Sequence, residues 1–168
     1  PRAKYAYVAN SAAHTVSAYT INATTGALTS VGPAVATGSG PYTVTIDPRG
    51  KFAYVTNQSS DTISAYSINA TTGALTSVGT AVATGTTPTT VTVDPTGRFA
   101  YVSNINSHDI SAYTINATTG ALTAVGAAVA AGSTPYAVTV DSSGKFAYVA
   151  DLGTNRVLTY TVNTSTGA

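Results

Sequence analysis

Three aspartates recur at a constant step in the sequence, with 47 residues separating Asp47, Asp94 and Asp141 in turn. If equally spaced repeats form a ring, their carboxylates could bind cations along one rim of that ring. Each of these residues, however, stands directly before a Pro or Ser, where an Asp side chain accepts hydrogen bonds from its own turn. We therefore expect turn caps in the first place. A basic residue four positions later predicts a weak local ion pair in each case: Lys51, Arg98 and Lys145.

Two histidines, His14 and His108, fall in polar loops at comparable places, where other repeats have Asp61 and Asn155. Loops that vary on a rigid scaffold commonly form binding surfaces, but unconstrained loops vary as well, so both interpretations stay open. The two histidines are about two repeats apart, and no His-x-His motif or Glu accompanies them. A shared metal site is therefore not expected, and no cofactor is predicted.

Tyrosines are numerous enough to offer stacking platforms for sugars. Aromatic residues repeated at strand positions are more typical of a core in which each hydroxyl finds one partner. We expect that core role for Tyr19, Tyr66, Tyr113, Tyr160, Tyr42 and Tyr136. Matches to the N-glycosylation sequon begin at Asn22, Asn69, Asn116 and Asn163, in turns that favour Asn on other grounds.

The composition excludes several classes of protein. The net charge is +1 and charged residues make up 8% of the 168, with the basic ones scattered, so a phosphate-binding stripe for nucleic acid is not expected. No apolar run is long enough for a membrane span. The absence of Cys excludes disulfides and thiolate metal sites.

Abundant Thr, few charges and the absence of Met and Trp favour an extracellular or cell-surface location. The chain begins with Pro1 instead of Met, which predicts either a removed leader or a piece of a longer protein.

The clearest feature of the sequence is its repetition. INATTGALTSVG occupies residues 21–32 and again 68–79, and INATTGALTAVG occupies 115–126. A fixed period of this size predicts a repeat architecture. We expect a single repeat domain over 1–168 with units 1–47, 48–94, 95–141 and 142–168.

A complete unit contains four segments with the alternation of β-strands, separated by turn residues. In the second unit these are YTVTID (42–47), KFAYVTN (51–57), TISAYSI (62–68) and LTSVGTAVA (75–83). Apolar residues occur on both faces of the alternation, as expected where neighbouring blades cover both sides of a sheet. The sequence therefore predicts an all-β fold, a β-propeller arc of about three and a half four-stranded antiparallel blades.

The second strand of each unit carries a family motif. YVTN stands at 54–57, with YVAN, YVSN and YVAD at the equivalent places, and a Pro-x-x-Val-x-Val-Asp-Pro-x-Gly stretch lies at 88–97. Together with the TGALT corner, these residues resemble the YVTN β-propeller repeats of lactonase-like seven-bladed propellers and prokaryotic surface proteins. The resemblance implies a site built from charged residues and His on inner strands around the central channel, as in lactonase-type propellers. The inner strands here carry hydroxyls and aliphatics, so no residue is carried over as catalytic.

The first and last repeat units are incomplete, and this affects the oligomeric state that we expect. Pro1-Arg2-Ala3 corresponds to Pro48-Arg49-Gly50, so the first unit lacks its innermost strand, and the last unit lacks its outermost one. The pattern therefore contains fourteen strands. Because uncovered blade faces and unpaired edges promote association, we expect a homo-oligomer, preferably a dimer, that closes a ring, or else a part of a longer propeller.

The functional expectation from sequence is a non-catalytic propeller module with a structural or interaction role. No GxSxG motif is present, and no acid or base is placed on the inner strands, so an enzyme is not expected. One alternative is a carbohydrate- or peptide-binding propeller. The second alternative is a fragment of a lactonase-like sugar-lactone hydrolase.

Overall fold

The structure is a computed structural model that describes residues 4–168. Within this range it contains strands and turns and no helix, in four antiparallel sheets that follow one another along an open arc. The all-β propeller fold expected from the sequence is confirmed. The predicted correspondence of Pro1-Arg2-Ala3 to Pro48-Arg49-Gly50 lies outside the described residues.

The four sheets are built from seventeen strands in chain order. The first sheet contains β1 (Tyr5–Asn10), β2 (Thr15–Ile21), β3 (Leu28–Ser30) and β4 (Val35–Ala36). The second contains β5 (Pro41–Ile46), β6 (Phe52–Asn57), β7 (Thr62–Ile68), β8 (Leu75–Ser77) and β9 (Val82–Ala83). The third contains β10 (Pro88–Val93), β11 (Phe99–Asn104), β12 (Asp109–Ile115), β13 (Leu122–Ala124) and β14 (Val129–Ala130). The fourth contains β15 (Pro135–Val140), β16 (Phe146–Asp151) and β17 (Arg156–Thr161).

The outermost strand of each of the first three sheets differs from the expectation. The segment LTSVGTAVA does not form one strand, because β8 and β9 are separate pieces that both pair with β7. Gly79 lies between them with φ 64°, a left-handed conformation that turns the chain out of the extended region. Fourteen expected strands therefore become seventeen, because three outer strands are each divided in two.

The hydrophobic core lies between the sheets and not within any one of them. Phe52 and Tyr54 of β6 point towards the third sheet and pack in a cluster with Val102. The alternate residues Ala53 and Val55 of β6 point towards the first sheet. We call the side of a sheet that meets the next sheet in the chain its forward face and the opposite side its backward face. Burial on both faces is why the apolar residues of β6 occupy both phases of its alternation.

Candidate functional site

The innermost strands β5, β10 and β15 lie side by side along the inside of the arc. Each begins with a proline, which is tolerated at the first position of a strand because its missing N–H has no ladder bond to make there. Each also has a register irregularity directly after that proline. The irregularity changes the direction of the following side chain, which is Tyr42, Thr89 or Tyr136.

Threonine hydroxyls of these inner strands join one sheet to the next. Thr43 Oγ1 donates to the carbonyl oxygen of Thr89 at 2.8 Å, and Thr89 Oγ1 donates to that of Tyr136 at 2.7 Å. Thr45 Oγ1 donates in the same way to Val91 at 2.7 Å. The hydroxyl-rich inner strands thus use these groups to hold the blades together, and the protons of these three hydroxyls are not available to a ligand.

Tyr42 and Tyr136 behave differently from the other tyrosines. Their hydroxyl groups hydrogen bond to each other although the residues are 94 positions apart and belong to the second and fourth sheets. The intervening sheet carries the smaller Thr89 at the equivalent position, and its side chain is buried. We call this tyrosine pair, at the proline ends of the three inner strands, the channel mouth.

The protonation state of Tyr42 determines which hydrogen bonds the pair can make. The hydrogen bond to Tyr136, with burial and the neighbouring phenol as smaller causes, holds the pKa of Tyr42 above its ordinary value. Tyr42 is therefore neutral at physiological pH and acts as a hydrogen-bond donor or acceptor instead of a base. Since one phenol donates to the other, the accepting phenol keeps its own proton for an outside acceptor.

Loops at the same end of the sheets contain His14 and Asp61. His14 Nδ1 accepts the backbone N–H of Gly40 at 3.1 Å, and Asp61 Oδ1 accepts that of Thr87 at 2.8 Å. Both acceptors have positive φ, at 54° and 52°. Each side chain therefore fixes the segment that leads into the next inner strand, which is a structural role.

His108 does not repeat this arrangement. The corresponding backbone N–H, that of Thr134, donates instead to Asp151 Oδ1 at 2.7 Å. Asp151 is buried and also accepts the Thr154 hydroxyl at 2.5 Å, and this bond is the main cause that lowers the pKa of Asp151. His14 and His108 are thus not brought together, and among residues 4–168 no group of three metal-ligating side chains converges.

The repeated aspartates lie at the other end of the inner strands. Asp94 Oδ1 accepts the backbone N–H groups of Arg98 and Phe99 at 2.7 and 2.8 Å. Asp47 and Asp141 cap their turns in the same way, so the expected turn caps are confirmed. The expected ion pairs to Lys51, Arg98 and Lys145 are not formed in the described part of the chain, because these residues supply only their backbone N–H to the carboxylates. An ion pair forms instead between Arg49 Nε and Asp47 Oδ2, at 3.9 Å.

The tyrosine pair is what sequence reasoning missed. Tyr66 and Tyr113 are buried, as expected, and donate to the carbonyl oxygens of Ala36 and Ala83 at 2.7 and 2.6 Å. The sequence places Tyr42 in the same core group, but its side chain is exposed. The sequence does contain a pattern that could have indicated the pair. Tyr42 and Tyr136 each follow the proline of an inner strand, and the repeat between them has the smaller Thr89 at that position.

A known protein family matches most of this chain. Residues 1–138 match the family model described as lactonase, 7-bladed beta-propeller. The chain belongs to this lactonase family. The resemblance to lactonase-like propellers is confirmed by this membership. Membership in this family also corrects two expectations from the sequence. We expected a non-catalytic module and no enzymatic activity, and a match to a family of lactonases contradicts both.

Three solved structures similar to this member of the lactonase family are themselves described as lactonases or candidate lactonases. A candidate 6-phosphogluconolactonase of Bacteroides uniformis is 24% identical with a TM-score of 0.90, covering 98% of this chain and 49% of that one. A second, from Bacteroides fragilis, is 25% identical with a TM-score of 0.80, covering 97% and 51%. The periplasmic gluconolactonase of Pseudomonas aeruginosa is 19% identical with a TM-score of 0.77, covering 98% and 48%.

The chain spans about half the length of each of these similar proteins. A search among curated proteins found no match. Among the described residues, no helix is long and apolar enough to cross a membrane.

Proposed function

We propose that this chain forms part of a lactonase-like propeller that hydrolyses the internal ester of a sugar lactone. The observation that carries the proposal is the family match over residues 1–138. The similar propeller from Bacteroides fragilis, described as a candidate 6-phosphogluconolactonase, supports the same class of substrate.

The channel mouth is the surface we assign to the substrate. Tyr42 is exposed there and is joined to Tyr136, so two phenols meet at one end of the inner strands. A sugar lactone presents hydroxyl groups and one ester carbonyl, and phenol groups can accept hydrogen bonds from the former and donate them to the latter. Sites for small polar ligands typically combine such convergent polar groups with a concave, largely preformed surface.

The tyrosine pair supplies only some of the catalytic groups that hydrolysis of a lactone requires. When water attacks the ester, negative charge develops on the carbonyl oxygen, and a preorganised hydrogen-bond donor stabilises that charge. The free phenol proton of the tyrosine pair is suited to that role or to orienting the substrate. Because Tyr42 is neutral at physiological pH, the general base that activates water must come from another group on the completed ring.

The test is an assay of acid release by the completed ring, with glucono-lactone and 6-phosphogluconolactone as substrates, each corrected for spontaneous hydrolysis in protein-free buffer. We expect release above the blank. We expect Tyr42→Phe and Tyr136→Phe to lower kcat/KM about tenfold, since either substitution breaks the hydroxyl pair that presents one free phenol proton to the substrate. The matched control is Tyr66→Phe, which removes a phenol bonded within the fold. Release equal to the blank with both lactones, and no heat of binding by calorimetry, would contradict the proposal.

We also propose that the protein functions outside the cytoplasm. The supporting observations are the Thr-rich sequence with few charges and the likeness to a propeller described as periplasmic. Fractionation of the source cells followed by detection with an antibody would test this location.

A further inference from the structure

Each inner strand is preceded by an N–H group that donates to a side chain. Before β5 the donor is Gly40 and the acceptor is His14 Nδ1, at 3.1 Å. Before β10 the donor is Thr87 and the acceptor is Asp61 Oδ1, at 2.8 Å. His14 and Asp61 are 47 positions apart and hold the same place in the repeat. The same bond is therefore made to an imidazole before one inner strand and to a carboxylate before the next.

An imidazole and a carboxylate respond differently to mild acid. Imidazole side chains gain a second proton between about pH 8 and 5, whereas carboxylates are protonated near about pH 4. A protonated imidazole carries a proton on both nitrogens and accepts no hydrogen bond. His14 is exposed, so water has access to its ring. The bond from Gly40 therefore requires a neutral His14, while the bond from Thr87 to Asp61 is kept in mild acid.

The Gly40 N–H lies where water has little access. Gly40 is buried, and its carbonyl oxygen accepts the N–H of Gln58 at 2.9 Å. Its φ is 63°, and a Cβ at this position would overlap the side chain of Ser59, so the chain is closely packed against the neighbouring loop. A buried N–H that loses its acceptor is unfavourable, because that group has been taken out of water without a partner. Loss of the bond to His14 therefore favours a displaced segment.

Tyr42 follows this segment and is not paired in the ladder of its own sheet. The register of β5 against β6 is interrupted between Pro41 and Val44. On its C-terminal side Tyr42 is held by the N–H of Thr43, which donates to a threonine hydroxyl of β6 at 3.2 Å. On its N-terminal side it is held by Gly40, two positions earlier. The placement of Tyr42 therefore depends on the bonds that Gly40 makes.

The other tyrosine of the channel mouth is held through a carboxylate. Thr134, two positions before Tyr136, donates its N–H to Asp151 Oδ1 at 2.7 Å. The hydroxyl of Thr154 is the main cause that lowers the pKa of Asp151, so this acceptor stays charged in mild acid. The two tyrosines thus differ, because the bond before Tyr136 persists in mild acid and the bond before Tyr42 does not.

We propose that His14 is a positioning residue for Tyr42 and makes the channel mouth sensitive to mild acid. Neutral His14 holds the Gly40 N–H, which keeps the phenol of Tyr42 on its partner. Protonated His14 releases Gly40, the segment before β5 shifts, and the two phenols separate. The consequence for catalysis rests on the proposed lactonase function, whereas the change at Gly40 involves no substrate.

Other charged groups are few around His14 among the described residues. Three segments meet there: its own loop (10–15), the segment before β5 (36–40) and the loop 58–60 of the second sheet. His14 is the one titratable side chain in these segments. Asp61 follows the last of them, and its carboxylate accepts the N–H of Thr87 in the next sheet. Protonation of His14 is therefore the change that mild acid makes at this place.

Amide hydrogen exchange of the completed ring, followed by NMR at about pH 7.5 and about pH 5, tests the proposal. After correction for the intrinsic exchange rate, protection of the Gly40 amide should fall about tenfold at the lower pH. Protection of the Thr87 amide should change less than about twofold, since its acceptor is a carboxylate. His14→Asp introduces the residue that the next repeat has and should keep Gly40 protected at both pH values. No fall at Gly40, an equal fall at Thr87, or the same fall in His14→Asp would each overturn the proposal.

The pH profile of lactone hydrolysis tests the consequence for the site. Between about pH 7.5 and 5, kcat/KM of the wild-type ring should fall about tenfold more than that of His14→Asp. The matched control is His108→Asp, which changes a histidine at the same place in its repeat that does not hold the corresponding N–H, and its profile should follow the wild type. Activity with a profile that His14→Asp leaves unchanged would overturn the positioning role. A ring without lactonase activity would contradict the proposed function alone, since the exchange experiment uses no substrate.

Discussion

The hydroxyl group of Tyr101 donates a 3.0 Å hydrogen bond to the carbonyl oxygen of Gly167, 66 positions further along the chain. Both residues are buried, and the bond joins the forward face of the third sheet to the last turn of the fourth. Because its equivalents recur between the other sheets, this bond represents how the blades of the arc are connected.

Tyr101→Phe should therefore destabilise the fold while leaving its packing intact. The substitution removes the donor and leaves a buried carbonyl oxygen without its partner, so we expect a loss of about 1–2 kcal/mol in the free energy of unfolding. The measurement is urea unfolding followed by circular dichroism. The matched control is Tyr5→Phe, which introduces the residue found at that position in the other sheets and removes an exposed hydrogen bond to Thr71; a control loss as large as that of Tyr101→Phe would contradict the argument.

Asp94→Ala should be more damaging than the same change at Asp141. Asp94 is buried and accepts the backbone N–H groups of Arg98 and Phe99. Removing the carboxylate leaves these donors with little access to water, and we expect a loss of about 2–3 kcal/mol in the free energy of unfolding. Asp141 makes the same bonds where water can replace it, so Asp141→Ala should cost clearly less. Equal losses for the two variants in parallel urea unfolding would show that burial is not the cause.

Acid should destabilise the protein through its capping carboxylates. The hydroxyl of Ser143, with backbone N–H groups of the same turn, lowers the pKa of Asp141 to about 2, and Thr154 is the main cause that lowers the pKa of Asp151. The unfolded value is about 3.9, so below that pH the unfolded state binds more protons than the folded state. Stability is therefore fully present above about pH 4 and falls as the pH falls towards about 2. The midpoint of urea unfolding, measured across this range, should decrease, and the decrease should be smaller in Asp141→Asn.

Alkaline conditions should destabilise the fold through its buried tyrosines. Burial is the main cause that raises the pKa of Tyr101 to about 12, and likewise that of Tyr7. Tyrosines of the unfolded chain ionise near pH 10, so between about pH 10 and 12 the unfolded state releases protons that the folded state keeps. Stability should fall as the pH rises through this range. The ultraviolet absorbance of the phenolate, followed during an alkaline titration, should show that these residues ionise together with unfolding and not before it.

The aspartate caps show what could be predicted from neighbouring residues. Asp94 and Phe99 are five positions apart, so the contact between them is set by the turn itself, and the turn residues are visible in the sequence. The alternation of Phe52, Ala53, Tyr54 and Val55 likewise predicts two buried faces, because successive side chains of a strand point in opposite directions.

The sequence by itself determined the all-β propeller fold, the turns and the faces of the strands, since these depend on residues close together in the chain. Only the tertiary structure decided that Tyr42 meets Tyr136 across 94 positions and that the ring of Phe52 covers Gly120. Those contacts depend on how one sheet stacks on the next, and residue spacing within a repeat does not contain that geometry.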